Sequence, residues 1–144
     1  MNNAAKTFAD LSIGDVVAER ELDFSRGRLV RYAGASGDFN PIHYRDDVAQ
    51  SVGLEGVLAH GMLTMGAAVS PVTEWLGSAG FVQDYQTRFT RPVVVDAKNG
   101  ARVSVTATIA ALDEAARTAR IDLKVVHADK TVLGKAQVLV KLNS

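Results

Sequence analysis

Apolar and polar residues alternate through much of the second half of the chain, which predicts β-strands. Residues 101–112, ARVSVTATIAAL, and residues 119–128, ARIDLKVVHA, place an apolar side chain at most second positions. Residues 81–95 and 131–142 predict two further strands, the first becoming continuously apolar at its end. Since the segments between these strands are short and polar, we expect each strand to pair antiparallel with the next.

Helical spacing replaces alternation in the first half of the chain, after one short strand over residues 14–25. Ser25 is placed to cap a helix over residues 26–37, and glycines at 34 and 37 are expected to end it. The apolar positions of this helix are Leu29, Val30 and Ala33.

A short second helix is predicted over residues 46–54. Asp46 or Asp47 is expected to be its N-cap, and Gly53 is a plausible C-terminal stop.

Residues 57–77 are apolar nearly all round, which predicts a helix covered by protein on every side. Five small residues would allow a sheet to approach it closely: Gly61, Gly66, Ala67, Ala68 and Ser70. Pro71 is expected to bend the helix, or to break a hydrogen bond near Ala67. Residues 56–73 carry no acidic or basic side chain, but several polar residues and glycines there argue against a membrane span.

These elements predict an α+β fold in which one long buried helix is wrapped by a curved antiparallel sheet. With 144 residues, 47% of them hydrophobic, we expect a single domain covering residues 1–144. A single curved sheet leaves edge strands exposed, so we also expect a homodimer or a heterodimer with a related subunit.

The charge balance excludes some partners. Sixteen basic and sixteen acidic residues cancel, so the chain has no net field to hold nucleic acid or an anionic membrane. It has no cysteine, which excludes thiolate chemistry and fits a reducing compartment. Residues 1–15 lack the charged and then apolar pattern of a secretory signal, so a cytoplasmic location is expected.

The candidate chemistry lies in residues 32–49, YAGASGDFNPIHYRDDVA. A carboxylate and an imidazole within reach of one water molecule can activate it and carry its proton. Pro41 suits a turn that brings Asp38 and His43 to one side of the loop, and Asn40 can hydrogen-bond the loop backbone. Taken singly, Asp38 is equally an ordinary turn residue and His43 an ordinary structural histidine.

Residues 32–49 resemble the hydratase signature of the MaoC-like (R)-specific enoyl-thioester hydratases and dehydratases. Every position of that pattern is filled: an aromatic and small residues, Gly-Asp-x-Asn-Pro-aliphatic-His, then five residues and a small one. The resemblance continues through residues 58–66, LAHGMLTMG. It implies a hot dog fold and reversible hydration of trans-2-enoyl thioesters on CoA or acyl carrier protein, in fatty-acid metabolism and without a cofactor. It also implies that Asp38 and His43 are the acid–base pair.

Gly61 is a candidate oxyanion donor, because it lies where the long helix should begin. A backbone N–H at that position has no partner within the helix and faces the positive end of the helix dipole. Thr64, one turn later, is a weaker candidate for substrate contact. His60 either points into the site or orients the loop before Gly61.

Several other interpretations remain open at this stage. The acidic residues Asp46 and Asp47 could join Asp38 and His43 in a metal cluster, but they suit helix caps better, and no metal is expected. A hot dog thioesterase would need Glu55 or Glu74 as its carboxylate. The chain could also be a non-catalytic subunit of a heterodimer.

The aromatic residues Trp75, Phe81, Tyr85 and Phe89 are interpreted as core or interface residues. Arg88 and Arg91 could meet an acidic carrier protein or a CoA phosphate, but solvated strand edges explain them equally well.

Overall fold

Three α-helices and five β-strands are found in the computed structural model, which describes residues 7–143. The helices are α1 (Arg26–Ser36), α2 (Asp46–Ser51) and α3 (Gly61–Leu76), and two short 3-10 turns lie at Phe8–Asp10 and Pro41–His43. The strands are β1 (Val16–Phe24), β2 (Gly80–Phe89), β3 (Ala101–Asp113), β4 (Thr118–His127) and β5 (Lys130–Leu142). The first six residues, on which the expectation about a secretory signal partly depends, lie outside the described part.

All five strands form one antiparallel sheet in the order β1-β3-β4-β5-β2. The predicted pairing of β3 with β4 and of β4 with β5 is confirmed. The predicted pairing of β2 with β3 is wrong, because β2 pairs with β5 at the far edge of the sheet. Strands β1 and β2 are therefore the two sheet edges.

The chain leaves the sheet after Phe89, which explains this error. Residues 90–95 were expected to continue the strand, but their backbone bonds to the segment before α3 instead. Ala59 N–H donates to the Val93 carbonyl at 2.9 Å, and Val95 N–H donates to the Val57 carbonyl at 2.8 Å. The continuous apolar run thus marks a buried crossover, since apolar composition alone does not distinguish it from a strand.

Helix α3 packs one face against the sheet. Its inward residues include Ala67, Ala68, Val72 and Leu76, all at most 7% exposed, and they join the alternating apolar positions of β3, β4 and β5 in one core. The expectation that the helix is covered on every side is wrong for the single chain, because Met62 is 59% exposed. The sheet curls around only part of the helix, and the rest faces outward.

Pro71 lies inside α3, and the helix continues through it to Leu76. The predicted local break is therefore wrong, whereas the bend stays a prediction. Pro71 is buried, so packing holds the helix at the point where one backbone hydrogen bond is lost.

The predicted ends of α1 are confirmed at both termini. Ser25 Oγ accepts a hydrogen bond from Arg28 N–H at 3.1 Å, and Gly37 is the C-cap with a left-handed φ of 77°. Gly34 lies within the helix and does not end it. Leu29 faces the core, whereas Val30 is 57% exposed.

The predicted N-cap of α2 is wrong. The N-cap position belongs to Arg45, and both aspartates lie in the first helical turn. Their carboxylates are engaged by arginines, since Asp46 pairs with Arg26 and Asp47 pairs with Arg45.

Arg26 connects three segments that surround the candidate loop. Its guanidinium contacts both carboxylate oxygens of Asp46, at 3.1 and 2.8 Å, and its Nε donates to the Val95 carbonyl at 2.6 Å. Asp46 also accepts a hydrogen bond from Val57 N–H at 3.3 Å. The hydrogen bonds from Arg26 hold the pKa of the Asp46 carboxyl below its ordinary value. Charge pairing therefore joins the start of α1, the start of α2 and the crossover.

Of the helices within residues 7–143, none is long and apolar enough to cross a membrane.

The burial of Leu29 predicts which face of α1 supports the fold. Leu29 has no exposed surface and belongs to the core. We expect Leu29→Ala to lower the free energy of unfolding by about 2–5 kcal/mol, because it leaves a cavity. The matched control Val30→Ala, on the next residue, should change it by less than about 0.5 kcal/mol. Urea denaturation of both variants measures this, and equal losses would contradict the described orientation of α1.

Candidate active site

Asp38 and His43 lie side by side, as predicted from their spacing. The Asp38 Oδ2 atom is 3.8 Å from His43 Nε2. Helix α1 ends just before Asp38, and the 3-10 turn Pro41–His43 turns the imidazole back toward the carboxylate. A distance of 3.8 Å is too long for a direct hydrogen bond, but one oxygen atom can lie within bonding distance of both groups. The pair is thus arranged to hold one water molecule or hydroxyl group.

The tautomer of His43 follows from its second contact. Its Nδ1 lies 2.7 Å from the Leu58 carbonyl oxygen. Because a carbonyl oxygen only accepts hydrogen bonds, Nδ1 carries the proton. In the neutral imidazole the lone pair is therefore on Nε2, the atom that faces Asp38. His43 is largely buried, whereas Asp38 is exposed to solvent.

The loop that carries Asp38 is held by local hydrogen bonds. The Ser36 hydroxyl oxygen accepts from Asp38 N–H at 3.1 Å, and the Asp38 carboxylate accepts from Asn40 N–H at 3.2 Å. Asn40 Oδ1 accepts from Ile42 N–H at 3.3 Å and caps the 3-10 turn. These contacts give Asn40 the loop-bonding position that was expected for it.

His60 lies directly behind the pair and is only 1% exposed. Its ring stacks on His43 with centroids 3.8 Å apart, and it meets the Tyr32 ring edge-on at 4.8 Å. Its Nε2 donates to the Asp38 carbonyl at 3.1 Å, and its Nδ1 has no partner among the described residues. His60 therefore contacts the loop that carries Asp38, and its side chain does not bond the loop before Gly61 as one alternative expected.

Burial lowers the pKa of His60 below its ordinary value near 6.5. The nearby His43 acts in the same direction, whereas the hydrogen bond to Asp38 and its charge oppose the shift. His60 is accordingly the neutral member of the cluster.

A cavity of about 290 Å³ opens beside His43. Its wall combines polar groups of the candidate site with apolar side chains from β2, β5 and the crossover. The lining residues that matter here are His43, Gly61, Thr64, Phe89, Val93 and Leu133. Such an apolar pocket next to a few polar groups suits the acyl portion of a substrate.

Gly61 is the first residue of α3, as expected, so its N–H has no acceptor within the helix. A Cβ at this position would lie 3.0 Å from two carbon atoms of the Phe89 ring. The missing side chain therefore makes room for Phe89. Thr64 is buried and lines the cavity, and its hydroxyl donates to the His60 carbonyl at 3.4 Å.

Phe89 was missed as a site residue, because its type alone suggested a core or interface aromatic. It lies at the end of β2, where the chain enters the crossover, and it is 54% exposed. Only the predicted break between strand and crossover could have pointed to it, and the continuous apolar run hid that break.

The acidic cluster considered from the sequence is not assembled, because Asp46 and Asp47 pair with arginines. Ligand atoms of Asp38, His43 and His60 do lie within 4.8 Å of one another. However, stacked imidazoles point their nitrogens side by side, so the two histidines would have to turn to share one ion.

The carboxylates that a thioesterase would need are placed elsewhere. Glu74 makes two hydrogen bonds to Arg20, at 2.8 and 2.6 Å, and Glu55 lines a different cavity. Among the described residues that line the cavity beside His43, neither glutamate occurs.

A long helix wrapped by a five-stranded antiparallel sheet is the hot dog fold, here with an aspartate and a histidine beside the start of the helix. The chain belongs to the MaoC-like domain family, whose model matches residues 9–127.

Curated relatives are similar to part of the chain. The 3-hydroxyacyl-thioester dehydratase X of Mycobacterium tuberculosis is 34% identical over 83 residues, which is 58% of this chain and 29% of that protein. The mitochondrial 3-hydroxyacyl-[acyl-carrier-protein] dehydratase of Arabidopsis thaliana is 42% identical over 60 residues, 42% of this chain and 34% of that protein. The matches thus span about a third of the length of these relatives.

Solved structures match nearly the whole chain. A MaoC-like dehydratase has a TM-score of 0.90 at 34% identity, covering 96% of this chain and 43% of that chain. The (R)-hydratase from A. caviae has a TM-score of 0.80 at 25% identity, covering 92% and 97%.

The motifs in residues 32–49 and 58–66 also predict a particular similarity, to one of the subunits that form the mycobacterial (3R)-hydroxyacyl-ACP dehydratase. The HadBC complex of that enzyme from Mycobacterium tuberculosis matches at 14% identity with a TM-score of 0.65, covering 84% of this chain and 90% of that chain. At this identity the match shows the fold alone.

The lowered pKa of His60 predicts a pH dependence of stability. As the pH falls below about 6.5, the unfolded chain binds a proton at this residue before the folded chain does. His60 therefore contributes stability above that pH, and the contribution is lost as the pH falls. We expect His60→Gln, which does not titrate, to reduce the loss of unfolding free energy between about pH 8 and about pH 5.

Urea denaturation at the two pH values measures this effect. His127→Gln is the matched control, because it removes a histidine at the end of β4, outside the site. Equal pH dependence in the parent and in His60→Gln would contradict the prediction.

Proposed function

We propose that the chain catalyses the reversible hydration of trans-2-enoyl thioesters to (3R)-3-hydroxyacyl thioesters. The observation that carries the proposal is the placement of Asp38 Oδ2 and His43 Nε2 3.8 Å apart, next to a cavity that Gly61 also lines. Membership of the MaoC-like family supports it. So do the names of the matched dehydratases and of the (R)-hydratase.

The residues suit the steps of such a reaction. Asp38 and His43 together hold a water molecule and take one of its protons while its oxygen bonds to C3 of the enoyl group. Electrons of the double bond move toward the thioester carbonyl, and the Gly61 N–H stabilises the negative oxygen. The same pair returns a proton to C2, so water is added without net change in charge. Dehydration is the reverse of these steps.

The thioester carrier in this proposal is CoA or acyl carrier protein. Arg91 lines the cavity and donates to the Thr131 carbonyl at 3.0 Å, so its guanidinium is held at the cavity wall. The proposal also includes a single domain over residues 1–144. The lack of cysteine fits a cytoplasmic location, which we propose with it.

We further propose that the chain pairs with a second hot dog subunit, either another copy or a related chain. The edge strand β2 carries Phe81 and Phe89, each 54% exposed, which makes this edge apolar and open to pairing. The matched HadBC structure is itself a complex, which is in keeping with this proposal.

Crotonyl-CoA is the probe that tests the activity. Loss of enoyl absorbance without release of free thiol supports a hydratase, whereas release of free thiol identifies a thioesterase. A folded chain that does neither overturns the proposal of activity for the chain alone. Repeating the assay with a related hot dog subunit then decides whether the chain only scaffolds a partner.

The acid–base pair is tested by removing each group while keeping its shape. We expect Asp38→Asn and His43→Gln each to lower kcat by at least about a hundredfold, because positioned acid–base groups contribute that much. The double variant should be little worse than the less active single variant, since the two residues act on one water molecule. Steady-state kinetics together with thermal unfolding measures this. Near-parental activity in either single variant, or loss by unfolding alone, would make the pair a structural loop.

The role of the Gly61 N–H is tested by proline, which is tolerated at the first position of a helix and has no N–H. His60 has φ −59° and ψ 130°, a conformation that a following proline allows. We expect Gly61→Pro to lower kcat by about a hundredfold or more. Gly61→Ala is the matched control, because it also brings a Cβ against Phe89 but keeps the N–H. Equal kcat values for the two variants would exclude this N–H as the oxyanion donor.

A further inference from the structure

We propose that His60 is a positioning residue that fixes Asp38 and His43 relative to each other, an inference that rests on the proposed function. His60 contacts each of the two groups through a different part of its ring. It also directly precedes Gly61 and is the N-cap of α3. One side chain thus connects the three groups to which the reaction assigns a role.

The first contact holds the Asp38 loop. His60 Nε2 donates to the Asp38 carbonyl at 3.1 Å, across a separation of 22 residues. The carboxylate itself is exposed and is bonded only within its own loop. The hydrogen bond from His60 therefore joins this surface loop to the buried start of α3. Without it, the position of the carboxylate would depend on a short loop alone.

The second contact holds the His43 ring. The two imidazoles stack with centroids 3.8 Å apart and an interplanar angle of 22°. Tyr32, from α1, contacts His60 edge-on at 4.8 Å and restricts its rotation. Because the Leu58 carbonyl holds His43 at Nδ1, the stack leaves the imidazole little freedom to tilt Nε2 away from Asp38.

The charge state of His60 matters for the same reason. The titratable groups that face it are Tyr32 from α1, Asp38 from the loop and His43 from the 3-10 turn. Its buried Nδ1 has no acceptor among the described residues, so a proton there would be unsatisfied. A neutral His60 adds no positive charge beside His43, which must itself become positive when it takes a proton from water.

Two variants separate the hydrogen bond from the ring. His60→Phe keeps a ring for stacking but has no donor, whereas His60→Gln keeps an N–H donor at a similar reach but has no ring. We expect His60→Phe to lower kcat by at least about tenfold with KM changed less than about threefold, because the pair is misplaced rather than removed. His60→Gln should retain more of kcat than His60→Phe. If His60→Phe does not fold, His60→Asn, whose amide is one methylene shorter, takes its place.

His127→Phe is the matched control. His127 also bonds a backbone carbonyl, that of Arg102 at 2.8 Å, but it lies outside the site. Loss of this bond should leave kcat unchanged.

NMR of the His43 ring nitrogens distinguishes positioning from a purely structural role. In the parent we expect the proton on Nδ1, and in His60→Phe we expect a changed titration of His43 while thermal unfolding stays cooperative. Parental kcat and parental His43 titration in His60→Phe, or equal effects in the Gln and Asn variants, would overturn the proposal. An inactive parent would overturn the proposed function only, because the NMR comparison needs no turnover.

Discussion

The hydrogen bond between His43 Nδ1 and the Leu58 carbonyl, 2.7 Å long, is the contact on which the geometry of the site depends. Leu58 is the point where three segments meet. Its N–H donates to the Ile42 carbonyl at 3.0 Å, and its backbone forms a bridge with Val94. One residue thus ties the catalytic turn to the crossover and to the segment that leads into α3. Displacement of any of these segments would move the imidazole.

Backbone carbonyls select the tautomers of both buried histidines. His43 gives its Nδ1 proton to Leu58, and His60 gives its Nε2 proton to Asp38. The two rings therefore have opposite tautomers although they stack on each other. His43 keeps a lone pair that faces a carboxylate, whereas the lone pair of His60 is buried without a partner in residues 7–143. Similar side chains obtain different chemistry from the acceptors around them.

Local signals were enough to predict much of this arrangement. Alternation located β3, β4 and β5, the Ser25 cap and Gly37 located α1, and the neighbourhood of Asp38 and His43 followed from a turn around Pro41. The errors concern contacts between distant segments. The order of the sheet, the hydrogen bond from His60 to Asp38 and the approach of Phe89 to Gly61 all depend on where separate elements pack. No local propensity encodes such partners, because each residue has an ordinary local interpretation.

Phe89 relates the edge of the sheet to the chemistry of the site. It is the last residue of the edge strand β2, and its ring lies against the first residue of α3. The ring lines the cavity but is still 54% exposed, so in a single chain this side of the cavity is partly open to water. In the proposed dimer, a subunit paired along β2 would cover this ring. Exclusion of water would then strengthen the interaction between the Gly61 N–H and a negative oxygen, because both would lie in a less polar environment.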